Sequence, residues 1–130
     1  MIIKIIIAVL IVVIIGIFIL YCFPIVRVEG DSMFPTLHEG EVLIGCRLFD
    51  HDDCETGKIY IIYLKDDEEG QPYYIVKRLE RKILDMSCDP PKFKYFFLGD
   101  NREVSADSRI YGYFDSSKVI AEVIGRKGSR

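Results

Sequence analysis

From Ile5 to Phe23 the chain runs 19 residues without a charge, and no other stretch constrains its architecture so tightly. As an α-helix this run is about 28 Å long, close to the hydrocarbon thickness of a bilayer. Its isoleucines and valines would suit a buried strand, but strands of this length are rare in globular sheets. Residues 1–23 therefore read as a transmembrane anchor. The competing assignment is a cleaved signal peptide, whose apolar core spans roughly 7–15 residues and ends in a small-x-small site. Here the run is longer, and Leu20-Tyr21-Cys22-Phe23-Pro24 lacks small residues at the needed positions. Tyr21 is also too bulky for lipoprotein processing at Cys22. An uncleaved anchor is expected.

Lys4 and the α-amino group form the short N-terminal flank, and positively charged flanks stay in the cytoplasm. Residues 24–130 are thus expected outside the cytoplasm, on the cell membrane. All 20 acidic residues and all but one of the 17 basic residues lie in that part of the chain. It is net acidic, which gives no support for nucleic-acid binding. Of the four cysteines, Cys22 is in the anchor and Cys46, Cys54 and Cys88 are in the domain. None has the close C-x-x-C spacing of a zinc or redox site. A Cys46–Cys54 disulfide and buried free thiols are both compatible with the spacing.

Beyond Pro24 the pattern is one of short strands and turn signals. Ile25–Glu29 alternates apolar and polar residues, and residues 41–48, 58–64, 73–79, 93–98 and 118–124 are β-rich. The segment 81–86 either continues the fourth of these or forms another strand. Residues 49–57 and 66–70 read as polar turns, and Pro90-Pro91 breaks the chain. No amphipathic helix is expected after the anchor. The fold class is mainly β, an all-β sandwich or partly closed barrel behind one transmembrane helix. About 105 residues suffice for one such core without metal or disulfide staples.

Three places carry chemistry. Gly30-Asp31-Ser32-Met33-Phe34-Pro35-Thr36-Leu37 is a turn with a serine just after the anchor and first strand. A serine hydroxyl is a weak nucleophile unless a base takes its proton. Lys77 follows Val76 on a strand of apolar and aromatic neighbours; on a buried face it would lose hydration, favour the neutral amine and become such a base. On the opposite face it would be a solvated lysine beside Arg78. The stretch from Gly99 to Arg109 is polar, and Asp107 and Arg109 are placed to form a charge-assisted pair.

Taken in order, these segments resemble the type I signal peptidases, specifically the bacterial branch with a serine–lysine dyad. Ser32-Met33-Phe34-Pro35-Thr36-Leu37 resembles the serine box, with Glu41-Val42-Leu43-Ile44 as the strand after it. Val76-Lys77-Arg78 resembles the lysine box. Gly99-Asp100-Asn101-Arg102 with Ser105-Ala106-Asp107-Ser108-Arg109 resembles the terminal box. The resemblance implies Ser32 as nucleophile and Lys77 as general base. It implies Ser105 as the residue that orients the lysine amine, Asp107 and Arg109 as loop supports, and Met33 as part of the substrate cleft. Gly30 stands where many relatives carry a hydroxyl that helps form the oxyanion hole, followed by Asp31. The implied substrates are secretory preproteins with small residues at −1 and −3, and no cofactor is implied. The chain departs from the family pattern after the lysine box, at Leu79–Asp85, and in its short connection to the terminal box, which suggests a minimal core without most of the accessory β region.

A second branch of the family uses histidine, but neither His38 nor His51 stands at the lysine-box position. The acidic residues around His51 and Cys54 are contiguous on one loop and are not expected to hold a metal. Two further functions stay compatible with the sequence: a processing peptidase with a narrow client set, and an inactive membrane-tethered peptide-binding module.

Overall fold

The computed structural model describes residues 1–128; the last two residues of the expected domain lie outside that range. Helix α1 spans Ile2–Cys22 and, among the described residues, is the helix long and apolar enough to cross a bilayer. Its side chains from Ile2 to Tyr21 are exposed. Only Cys22, 1% exposed, is buried. The helix is docked at this end: Arg47 N–H donates to Cys22 O at 2.8 Å, and Gly45 N–H donates to Pro24 O at 2.8 Å. The Arg47 guanidinium also lies 4.9 Å from the centre of the Tyr21 ring.

Among the described residues seven antiparallel strands follow: β1 (Ile25–Arg27), β2 (Val42–Cys46), β3 (Ile59–Asp66), β4 (Pro72–Asp85), β5 (Lys92–Leu98), β6 (Phe114–Asp115) and β7 (Val119–Lys127). They form one sheet in the order β1-β2-β7-β3-β4-β5-β6. The expected mainly β fold is observed, but as a single sheet rather than the two of a sandwich. Its outer strands β1 and β6 do not pair with each other, so the sheet is not a closed barrel. Shifts of register interrupt the ladders at Ile44/Gly45, Ile61/Ile62, Tyr63/Lys65 and Leu79/Arg81. Such bulges bend a strand and increase its twist.

The bulge after Leu79 settles the open question about 81–86. The chain does not turn there; β4 continues through it to Asp85 and pairs with β5 over that second half. Apolar burial is divided between two clusters. Tyr60, Ile62, Leu79, Tyr95, Phe97 and Val119 centre the larger one, and Val28, Met33, Leu37 and Leu43 form the smaller. The smaller cluster sits beneath the serine turn, so burying Met33 and Leu37 anchors the segment that presents Ser32.

One α-helix escaped the sequence reading. Helix α2 (Ser108–Tyr111) has Asp107 as its N-cap, accepting from Arg109 N–H at 3.2 Å, and Gly112 beyond its end. Four residues are too few for a hydrophobic period to register. The capping aspartate and the trailing glycine were the available signals. The four cysteines are free thiols, so no Cys46–Cys54 bridge forms. Burial, the largest influence, pushes the Cys54 thiol up to about 11.

Candidate active site

Ser32 sits on a tight turn between β1 and β2, closed by Phe34 N–H to Asp31 O (3.1 Å) and Leu37 N–H to Met33 O (2.9 Å). Gly30 enters the turn at φ +74°, a backbone state that favours glycine. The polar stretch from the other end of the domain grips the same turn. Asn101 donates its backbone N–H to Ser32 O at 2.9 Å and its side-chain amide to Asp31 O at 3.0 Å.

Lys77 lies on β4, where Ile75, Lys77 and Leu79 are the buried residues and the intervening side chains are less so. It is 4% exposed, and its Nζ is 2.6 Å from Ser32 Oγ. Of the two orientations the sequence allowed, the buried one is observed. Burial holds the Lys77 amine below its ordinary range, and the Asp107 carboxylate works in the opposite direction. A buried amine whose charge is disfavoured, in hydrogen-bond reach of a serine hydroxyl, has the geometry that a general base and its nucleophile would need.

Asp107 is fully buried and held by a fork: Arg109 donates to its two oxygens at 2.9 and 3.0 Å, and Gly99 N–H donates at 3.0 Å. Burial, the largest single influence, would raise its pKa, yet the guanidinium and these N–H donors together lower it to about 2. Arg109 further donates to Arg102 O at 2.7 Å, closing the loop between them. The expected Asp107–Arg109 pair is therefore present. Ser105 is also buried beside this group; its hydroxyl is one of the groups that lower the Asp107 pKa, but its Oγ makes no hydrogen bond to Lys77. The expected orienting contact to the lysine is not formed.

Several supports were not assigned from sequence. A Cβ on Gly99 would lie 2.1 Å from Ser105 Oγ and 2.5 Å from Ser32 O, so only glycine allows the terminal stretch to approach the serine turn this closely. Arg78, next to Lys77, forms a two-pronged pair with Asp100 at 2.8 and 2.7 Å. Ser108 Oγ accepts from Phe97 N–H at 2.8 Å and pins α2 to β5. Glycine between two polar motifs, and an arginine–aspartate pair across them, can be suspected from sequence but not assigned without the fold.

Ser32 and Lys77 edge a cleft of about 610 Å³, lined by Val26 to Met33, by Tyr73 to Lys77, and by Asn101, Val104 and Tyr111 among others. Gly30, Asp31 and Met33 all contribute to it, although Met33 is 1% exposed and chiefly a core residue. The hydrogen-bond partner of Ser32 Oγ is Lys77 and not a histidine. His38 packs edge-on against Phe34, with ring centres 5.2 Å apart. His51 places its two ring nitrogens 2.9 Å from Val119 O and 3.1 Å from Arg47 O, bridging the polar loop to the sheet.

The family described as signal peptidase, peptidase S26, matches residues 1–80 and 80–126. The chain belongs to this family. The match takes in the apolar helix, the serine turn, the buried lysine and the terminal stretch alike. Among curated relatives, Signal peptidase IB of Staphylococcus aureus (strain N315) is 28% identical over an alignment of 140 residues, covering 74% of this chain and 73% of the relative. Signal peptidase I of Bacillus amyloliquefaciens is 31% identical over 118 residues, covering 63% of this chain and 61% of the relative.

Proposed function

We propose that the chain is a membrane-anchored serine endopeptidase that removes signal peptides, with Ser32 as nucleophile and Lys77 as general base. The observation that carries this reading is the 2.6 Å approach of a buried lysine amine to Ser32 Oγ. Neutral Lys77 accepts the hydroxyl proton as Ser32 Oγ attacks the scissile carbonyl carbon. The resulting ammonium returns the proton to the leaving amine, leaving an ester on Ser32. A water that gives its proton to Lys77 then hydrolyses the ester and regenerates the serine. The Ser32 backbone N–H is the proposed donor to the oxyanion, since Gly30 has no hydroxyl to offer.

The substrate binds as an added strand. β1 is an edge of the sheet, and β5 pairs with β4 only from Arg78 onward, so Pro72–Lys77 has a free edge on that side. Both segments line the cleft. An extended peptide between them would satisfy these backbone groups. Alternate residues of a strand point the same way, so positions −1 and −3 face one wall, formed by Val28, Met33, Ile61 and Val76. This wall suits small side chains. With α1 in the bilayer, Lys4 on the cytoplasmic side and residues 24–130 outside, the cleft meets preproteins as they emerge. Gly99, Asp107 and Arg109 hold the dyad in place, with Ser105 packed against Gly99.

An inactive binding module accounts less well for Lys77, because burying an amine without a partner carboxylate is costly and a peptide groove does not require it. The deciding experiment is cleavage of a preprotein with an Ala-x-Ala site by the detergent-purified chain, beside Ser32→Ala and Lys77→Ala. Cleavage by the parent alone supports the dyad. Cleavage that survives Lys77→Ala removes lysine as the base, and a folded parent that cleaves nothing removes the broad-range peptidase.

A further inference from the structure

We propose that Arg126, acting with Glu41, positions the nucleophile by clamping the far end of the serine turn. The inference rests on Ser32 being that nucleophile. The turn is carried on residues 29–40, and the neck of this excursion is closed by Val28 N–H to Glu41 O (2.8 Å) and Gly40 N–H to Val28 O (2.9 Å). Its near end is held by Asn101 through Asp31 O and Ser32 O. Its far end is held from another strand. Arg126, opposite Leu43 in the β2–β7 register, donates from Nη1 to Thr36 O. Thr36 is one residue from Leu37, whose N–H closes the turn onto Met33 O. A shift at Thr36 is therefore passed to Met33 and to Ser32 beside it.

Glu41 explains why Arg126 stays there. The residue is 5% exposed, and its Oε2 is buried with no hydrogen-bond partner among the described residues. Arg126 Nη1 lies 3.9 Å from that oxygen. A buried carboxylate without hydrogen bonds is unfavourable unless a cation is held close to it. The Arg126 side chain is 55% exposed and would otherwise remain in water. The carboxylate fixes the guanidinium, the guanidinium fixes the Thr36 carbonyl, and the turn is fixed in consequence. Arg126 touches neither Ser32 nor Lys77, so its role is positioning.

The test is steady-state cleavage of an Ala-x-Ala preprotein, well below the melting temperature, by the full chain and by Arg126→Gln, Arg126→Lys and the double variant Glu41→Gln/Arg126→Gln. Arg126→Gln is expected to lower kcat about 10- to 100-fold, the scale of a small misplacement of a reacting group. KM should stay within about twofold, and the pH inflection of kcat should not move, because Lys77 is untouched. Arg126→Lys should recover part of kcat. The double variant should regain the melting temperature lost in Arg126→Gln, since the buried charge is gone, while kcat stays low because Thr36 O is still unheld. If Arg126→Gln and Arg126→Lys lose thermal stability but keep kcat within about twofold of the parent, the residue is only structural and the proposal fails. Failure of the underlying reading looks different: the parent itself is inactive, or Ser32→Ala still cleaves.

Discussion

Lys77 occupies a position that disfavours its own charge. Burial holds its pKa below the ordinary 10.5, so between the depressed value and 10.5 the unfolded chain binds more protons than the folded one. Folding stability therefore rises with pH across that window. Lys77→Met, which keeps the apolar stem and removes the amine, should melt higher than the parent at neutral pH. The difference should shrink as pH approaches 10.5 in thermal melts. Activity should follow the same proton: kcat/KM should rise with pH through an inflection below 10.5, and a flat profile would argue against Lys77 as base. Arg109 tests the opposing influence. Arg109→Ala leaves Asp107 buried without its cation and should lower the midpoint of a denaturant titration. With Asp107 no longer neutralised, the Lys77 amine should titrate higher, moving the kcat/KM inflection to higher pH. Asp107 itself has a depressed pKa, so its contribution is complete above 3.8 and is lost as pH falls through about 2.

Among the elements, β4 does two jobs because it is interrupted. From Pro72 to Arg78 it pairs with β3 and carries Lys77; from Arg78 through the Leu79/Arg81 bulge to Asp85 it pairs with β5 and carries the return toward the terminal stretch. That return brings Gly99 against Ser32 O and Ser105 Oγ. Gly99→Ala should reduce kcat about 10- to 100-fold by displacing these groups, with a lowered melting temperature by differential scanning fluorimetry. An unchanged kcat would mean that the approach of the two segments has no role in the reaction. The elements differ in how legible they were. Strands β2, β3, β5 and β7 were readable because apolar runs bounded by turn residues leave few alternatives. The continuity of β4 was not, since Leu79–Asp85 mixes charged and apolar residues and a bulge has no composition of its own. Helix α2 hid because its stability comes from Asp107 and its packing on β5, not from a repeat.

For the molecule as a whole, the decisive feature is a sheet that leaves two edges beside one cleft. Peptide substrates should bind through backbone groups there, so a cleavable peptide methylated at alternate backbone nitrogens should lose affinity in one phase of alternation and keep it in the other. Equal loss in both phases, read as KM or inhibition, would contradict strand addition. The hydrogen bonds from Arg47, just after β2, to Cys22 and from Gly45 of β2 to Pro24, just after α1, tie the end of the helix to the strand that follows the serine turn, so helix and site share one framework. By itself the sequence determined the apolar helix, the mainly β domain and the three motifs, because charge-free length, strand alternation and local residue order are properties of the chain. It also suggested the Asp107–Arg109 pair, two residues apart on one loop. Which face of β4 Lys77 takes, that Ser105 Oγ does not bond the lysine, and that Arg126 reaches Thr36 were decided only by the tertiary structure. Each depends on groups tens of residues apart meeting in space, and on burial that no local pattern encodes.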